Sequence, residues 1–321
     1  MSLLLLLLLQ IGSPQEYQDR SSAVSPDDPK GQYELGLWCK KKGLSVEAKA
    51  HFQKSIFADP TFVPPRKELS HRKIGTTWVS PEILKAVETG IHFPPHEQVR
   101  RLRKRGREVS QILDLFWDRK NWAVALSRIH DMTGLYTGTL NIQIQFRLLG
   151  VPATGGGYGG EGTIKLDIDE LVAYAKMIDG FARKVVSGGR VAVPPAKMSA
   201  IITHELTHCF QGDAAPQWFL EEMAAYVAGD GHFVHFFRHQ KVSVSTIETR
   251  VERRYVYARG WGFFEYVYAT WGAKKFRKMV SDILVEGEPV PVVLEKLSGF
   301  GWDVFQEKER LWTKRWIETY R

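Results

Sequence analysis

The run "AIITHELTHCFQG" (residues 200–212) carries two histidines four positions apart, with a glutamate beside the first. Apolar Ile201, Ile202, Leu206 and Phe210 surround them at helical spacing, so the run predicts an amphipathic helix with a core-facing side. On such a helix residues i and i+4 stand one above the other. His204 and His208 can then present two imidazole nitrogens to a single metal ion, and Glu205 is placed to act as general base on a water. A catalytic zinc site needs three protein ligands and one open position. The reading therefore turns on whether the chain supplies a third ligand nearby.

After the connector "QGDAAPQ" comes "WFLEEMAAYVAG" (218–229), a second helix with adjacent glutamates. Glu221 shares its face with Ala224, Ala225 and Ala228, small residues that permit close approach to the histidine helix. Glu222 lines up instead with Trp218 and Tyr226. Glu221 is thus the expected third ligand, and Glu222 is expected behind the site or at the surface. Cys209 points about 100° away from His208 around the helix and is read as a small buried apolar residue, not a ligand.

Together, "HELTH" and "PQWFLEEMAAY" resemble the gluzincin arrangement, His-Glu-x-x-His followed by a downstream Glu, and in particular the peptidase MA-like subgroup. In that subgroup the second helix reads Trp-Leu-x-Glu-Gly-x-Ala-x-Tyr. Trp218, Phe219, Glu221, Ala224 and Tyr226 fit this pattern, while Glu222 stands where the glycine would be. The later stretch "YVYARGWGFFEYVYATWGAKKFRKMVSDILVEGE" (255–288) is similar to the helix pair that follows in the same group. The resemblance implies an α+β, zincin-like domain over 121–321, a bound Zn2+ and hydrolysis of a peptide or protein substrate. Tyr257 is the candidate phenol donor to an oxyanion, with Tyr255 the alternative. No Gly-x-Met-Glu-Asn motif of the related aminopeptidases occurs, which tilts the expectation toward an endopeptidase.

Upstream of the histidine helix, "TLNIQIQFRLL" (139–149) and "TIKLDID" (163–169) alternate with period two and read as strands. The second is expected at the sheet edge, where an extended peptide can add by main-chain hydrogen bonds. Between them "PATGGGYGGEG" (152–162) reads as a glycine loop, a rim or lid. It lacks the Gly-Lys-Ser/Thr ending of a phosphate-binding loop. His232, His235 and His239 share a spacing but have no carboxylate or cysteine at ligand distance in sequence, and read as rim residues.

The N-terminal part has a different character. "MSLLLLLLLQIGSPQ" contains seven leucines, the length of a signal-peptide core and too short to span a bilayer. Export to the periplasm, cell envelope or exterior is expected, with membrane contact only through an uncleaved leader. Residues 1–12 are read as that leader and 13–31, rich in Ser, Pro, Asp and Gln, as a disordered linker. "YELGLWCKKKGLSVEAKAHFQKSIFADPTF" (33–62) resembles one tetratricopeptide repeat, with Leu35, Gly36, Gly43, Ala48, Phe52 and Pro60 at its marker positions. A repeat-like segment over 32–80 implies a protein partner. Residues 81–120 are read as a helical connector.

Much of the net charge of +8 sits in one stretch of that connector, "VRRLRKRGREV" (99–109), with Arg100, Arg101, Arg103, Lys104, Arg105 and Arg107. With no aromatic platform or helix-turn-helix beside them, the run argues for a solvated helix face and against a nucleic-acid site. Two cysteines, Cys39 and Cys209, give no disulfide framework. The rival to a hydrolase is a non-catalytic binding or scaffold protein with a structural or vestigial zinc site and a docking repeat. Glu205 separates the two, because a structural site has no need of a carboxylate there.

Overall fold

The computed structural model describes residues 14–186, 198–229 and 253–319. The leader (1–12) and the histidine series at 232, 235 and 239 lie outside the described residues. The chain divides into two units, Met1–Pro81 and Glu82–Arg321. Among the described residues no helix is long and apolar enough to cross a membrane.

The first unit is helical with one small hairpin. Helices α1 (Pro14–Ala23), α2 (Pro29–Lys41), α3 (Ser45–Ala58) and α4 (Pro64–Glu68) are followed by strands β1 (Arg72–Ile74) and β2 (Thr77–Val79), which pair antiparallel. Asp28 caps α2, its carboxylate accepting from the Lys30 N–H at 3.1 Å, a contact that typically stabilises a helix by about 1 kcal/mol. The α2–α3 pair closes on Leu35, Cys39, Ala48 and Phe52. Gly36 makes this pairing possible: a Cβ there would lie 2.6 Å from two ring carbons of Phe52.

The stretch 13–31, expected as a disordered linker, instead carries α1 and the start of α2. The polar composition hid two anchors, Tyr17 and Val24, which pack against the α2–α3 core. The Tyr17 hydroxyl lies 3.1 Å from His51 Nε2, and His51 Nδ1 lies 2.7 Å from Gln32 Oε1. The Gln32 amide in turn donates to the Ser25 carbonyl at 2.9 Å.

In the second unit the elements run α5 (Pro81–Gly90), β3 (Ile91–His92), α6 (His96–Arg103), α7 (Arg107–Trp117), α8 (Arg119–Thr133), β4 (Asn141–Phe146), β5 (Ala153–Tyr158), β6 (Glu161–Leu166), α9 (Ile168–Val186), α10 (Met198–Gln211), α11 (Gln217–Ala228), α12 (Arg253–Leu284, kinked at Gly272), α13 (Val290–Ser298) and α14 (Trp302–Thr319). The four strands lie in the order β3-β4-β6-β5; β3, β4 and β6 are parallel and β5 is antiparallel. Ile142, Ile144, Ile164 and Leu166 are buried while Asn141, Gln143 and Lys165 are exposed, so the period-two pattern places one face against the core. Helix α10 packs against β5, β6, α8 and α11. The expected mixture of helices and a small sheet is therefore observed.

Two expectations change. The stretch 81–120, expected as a connector, is from Glu82 onward part of this unit. Helix α7 buries Val109, Ile112, Leu113 and Phe116, and Trp122 at the start of α8 is fully buried with its indole N–H on the Phe116 carbonyl at 2.7 Å. The basic residues occupy the other side of α6 and α7. Several face acids: Arg100 and Arg101 meet Glu97, Arg103 meets Asp114, and Arg105 meets Asp169.

The second change concerns the sheet edge. "TIKLDID" is interior, paired on both sides through β6, and the glycine stretch is itself the edge strand β5. Glycine disfavours strands in isolation, but here the absence of side chains lets a helix lie directly on the strand.

Burial lowers the His51 imidazole pKa below its ordinary value of 6.5, with nearby Lys54 acting in the same direction. The folded unit therefore holds His51 neutral, and its contribution is fully present above the unfolded value. Lowering pH through about 6.5 protonates the unfolded chain first and should weaken the fold. Thermal unfolding of the wild type between pH 8 and pH 5 should show this loss, and His51→Gln should flatten it.

Candidate metal centre

Helix α10 buries Ile202, Leu206, Cys209 and Phe210 and turns His204 and His208 to its opposite, half-open side. The two Nε2 atoms are 3.1 Å apart and the rings meet edge to face. Pro216 precedes α11, and Ala224, Ala225 and Ala228 on that helix are buried, as close helix approach requires. Glu221 Oε2 lies 3.5 Å from His204 Nε2 and 3.6 Å from His208 Nε2. These three side chains form a group able to hold a metal ion.

The spacing is informative about which ion. Ligand bonds of about 2.0–2.2 Å at tetrahedral angles put neighbouring donor atoms about 3.3–3.6 Å apart. The donor separations of 3.1, 3.5 and 3.6 Å fall close to that range. Two imidazoles and one carboxylate suit a zinc-like ion, whereas calcium takes six to eight oxygens. The residues present thus fit an ion of that kind.

Two of the three donors are held from behind. Gln217 Nε2 donates to Glu221 Oε1 at 2.7 Å, leaving Oε2 toward the imidazoles. The Gln211 side chain lies 2.7 Å from His208 Nδ1 and donates to the Leu220 carbonyl at 2.9 Å. Burial alone would raise the Glu221 carboxyl, but the two facing imidazoles outweigh it and hold the group far below the usual carboxylate range. Neither glutamine stood out in the sequence. Gln211 was legible only as a polar residue three positions after His208 on the same helix face.

Glu205, between the two histidines in sequence, is buried. Burial pushes its carboxyl pKa up, and Glu221 adds to this; the imidazoles of His204 and His208 and a hydrogen bond from the Gly155 N–H oppose it. Gly155 is a point of close contact between sheet and helix. A Cβ on it would lie 2.2 Å from the Glu205 carbonyl oxygen. Two further backbone bonds join the pair: Gly160 N–H to the Cys209 carbonyl at 3.1 Å, and Gly212 N–H to the Gly157 carbonyl at 3.2 Å. The expected lid is therefore a fixed strand, and two of its outward groups, on Gly155 and Gly157, are already bonded within the unit.

Glu222, expected behind the site or at the surface, is buried and does not join the donor cluster. Cys209 is fully buried, its thiol pushed up to about 12 by burial, so it behaves as the expected apolar filler. Tyr226 packs among Trp261, Phe264 and Phe276 and donates to Glu265 Oε2 at 2.8 Å, tying α11 to α12. Tyr255 and Tyr257 fall in α12, but their side chains lie outside the described residues.

What fold and site define together is an α+β protein with a His, His, Glu donor set on two packed helices and a buried carboxylate beside it. Comparison with known protein families, curated proteins and solved structures finds no match.

The two adjacent glutamates can be separated directly. If the cluster holds a metal ion, Glu221→Gln should lose it while Glu222→Gln retains it, read by elemental analysis of the purified proteins. Separately, Gly155→Ala should destabilise the unit by about 1–3 kcal/mol, the usual cost of an overpacked contact, measured by denaturant unfolding.

Proposed function

We propose that the chain is a zinc-dependent hydrolase, a peptidase of gluzincin type, with His204, His208 and Glu221 holding the ion. The observation that carries this reading is the convergence of those three donors from two helices at zinc-compatible separations. The sequence resemblance to the peptidase MA-like subgroup points the same way. When bound, zinc would polarise the scissile carbonyl and lower the pKa of a water.

Glu205 would take the proton of that water and deliver it to the departing amine. Its burial suits the role, because a carboxyl raised above its ordinary range is a stronger base than an exposed one. The Gly155 N–H would fix the carboxylate's orientation from the sheet side. Tyr257 remains the proposed oxyanion donor. The proposal places the substrate in the peptide or protein class, with endopeptidase action favoured over aminopeptidase action, and export as the setting.

Glu205 also favours this reading over a structural zinc site. In a peptide-library cleavage screen, Glu205→Gln should keep its zinc and lose about 10²–10⁴-fold in rate, the range for removing a general base. A zinc-loaded wild type that cleaves no peptide in the screen, while remaining folded, would turn the reading toward the scaffold alternative.

A further inference from the structure

We propose that Gln211 is the positioning residue of this centre: it fixes the tautomer of His208 and, through the same amide, anchors the backbone beside Glu221. The proposal rests on reading His204, His208 and Glu221 as a metal centre, and it goes beyond that reading by naming what sets the centre's geometry.

Donors and acceptors around the Gln211 amide fix its orientation. Gln211 is 1% exposed, so its amide is shielded from bulk water and bonds within the protein. One end lies 2.9 Å from the Leu220 carbonyl, which can only accept. The amide nitrogen must therefore face Leu220, since the reverse orientation would set two oxygens against each other. The amide oxygen then faces His208 Nδ1 at 2.7 Å, and that ring nitrogen must carry the proton. With the ring neutral, as a metal-binding histidine must be, the lone pair is then on Nε2, the atom 3.1 Å from His204 Nε2 and 3.6 Å from Glu221 Oε2. Gln211 thus directs the coordinating nitrogen of His208 at the other two donors.

Its second bond reaches across to α11. Leu220 is the residue immediately before Glu221. A shift of α11 relative to α10 would therefore strain the amide that orients His208. Two ligands on different helices answer to one side chain. Groups that orient metal-binding histidines in this way typically contribute 10–100-fold to metal affinity.

The test uses the full chain, wild type and two variants. Long-range proton–nitrogen NMR on the metal-free protein, at a pH where imidazoles are neutral, should show His208 protonated on Nδ1. In Gln211→Met that proton should move to Nε2, and zinc affinity, measured by competition with a chromophoric chelator, should fall about 10–100-fold. Gln211→Glu keeps an acceptor for Nδ1–H but loses the donor to Leu220. It should recover most of the zinc affinity while melting as early as Gln211→Met. That separation of affinity from stability is not expected of a merely structural glutamine.

Wild-type His208 protonated on Nε2, Gln211→Met binding zinc as tightly as wild type, or Gln211→Glu losing as much affinity as Gln211→Met would each overturn the proposal. A wild type that takes up no zinc while His208 still carries its proton on Nδ1 overturns the metal reading and leaves the Gln211–His208 bond standing. The two failures are thereby told apart.

Discussion

Backbone-to-backbone contact between helix α10 and strand β5 is the constraint on which the centre depends. A helix resting on an ordinary edge strand is held off by the side chains between them. At Gly155 nothing stands between the strand and the Glu205 carbonyl, where even a Cβ would intrude to 2.2 Å. The approach lets a main-chain N–H reach the Glu205 carboxylate, which no side chain of the sheet could replace at that distance. It also turns the strand's outward groups inward, as the Gly212–Gly157 bond shows. The helix is thus fixed in depth and rotation, and with it the direction in which both histidines point.

A second helix must then meet the first with matching accuracy, and α11 is held at several places along its length. Near its start, the Leu220 carbonyl takes the Gln211 amide. Farther along, the Tyr226 hydroxyl bonds Glu265 on α12, and Arg128 on α8 donates to the Val227 carbonyl. These attachments lie on both sides of Glu221 in sequence. The third donor is therefore delivered by a pinned helix and not by a loop, which lowers the ordering cost of bringing three donors to one ion.

The sequence was most legible where chemistry and periodicity coincide. The i, i+4 spacing placed His204 and His208 on one face, and the small residues around Glu221, not Glu222, marked the side that approaches α10. Both follow from helix geometry alone. Less was visible where structure depends on contact between distant segments. The glycines of 155–157 read as a loop because a strand propensity describes an isolated chain, whereas here the missing side chains are what the neighbouring helix requires. Helix α1 was hidden for a similar reason: its composition is that of a linker, and Tyr17, with Val24 just past its end, gives it a place by packing on α2 and α3. Gln211 needed knowledge of where Leu220 would fall.

The electrostatics link these elements. Three donors brought close together in a half-buried position create a demand that the protein answers unequally. The Glu221 carboxylate is held ionised by the imidazoles it faces, with one oxygen occupied by Gln217. Glu205, deeper and adjacent to the same charge, is pushed the other way by its burial. Two glutamates sixteen positions apart are thus divided into one suited to binding a cation and one suited to moving a proton. That division comes from depth: α11 presents Glu221 at the open side of the cluster, while the contact at Gly155 draws Glu205 into the layer between helix and sheet. The same close packing that orients the histidines therefore also separates the chemical roles of the two carboxylates.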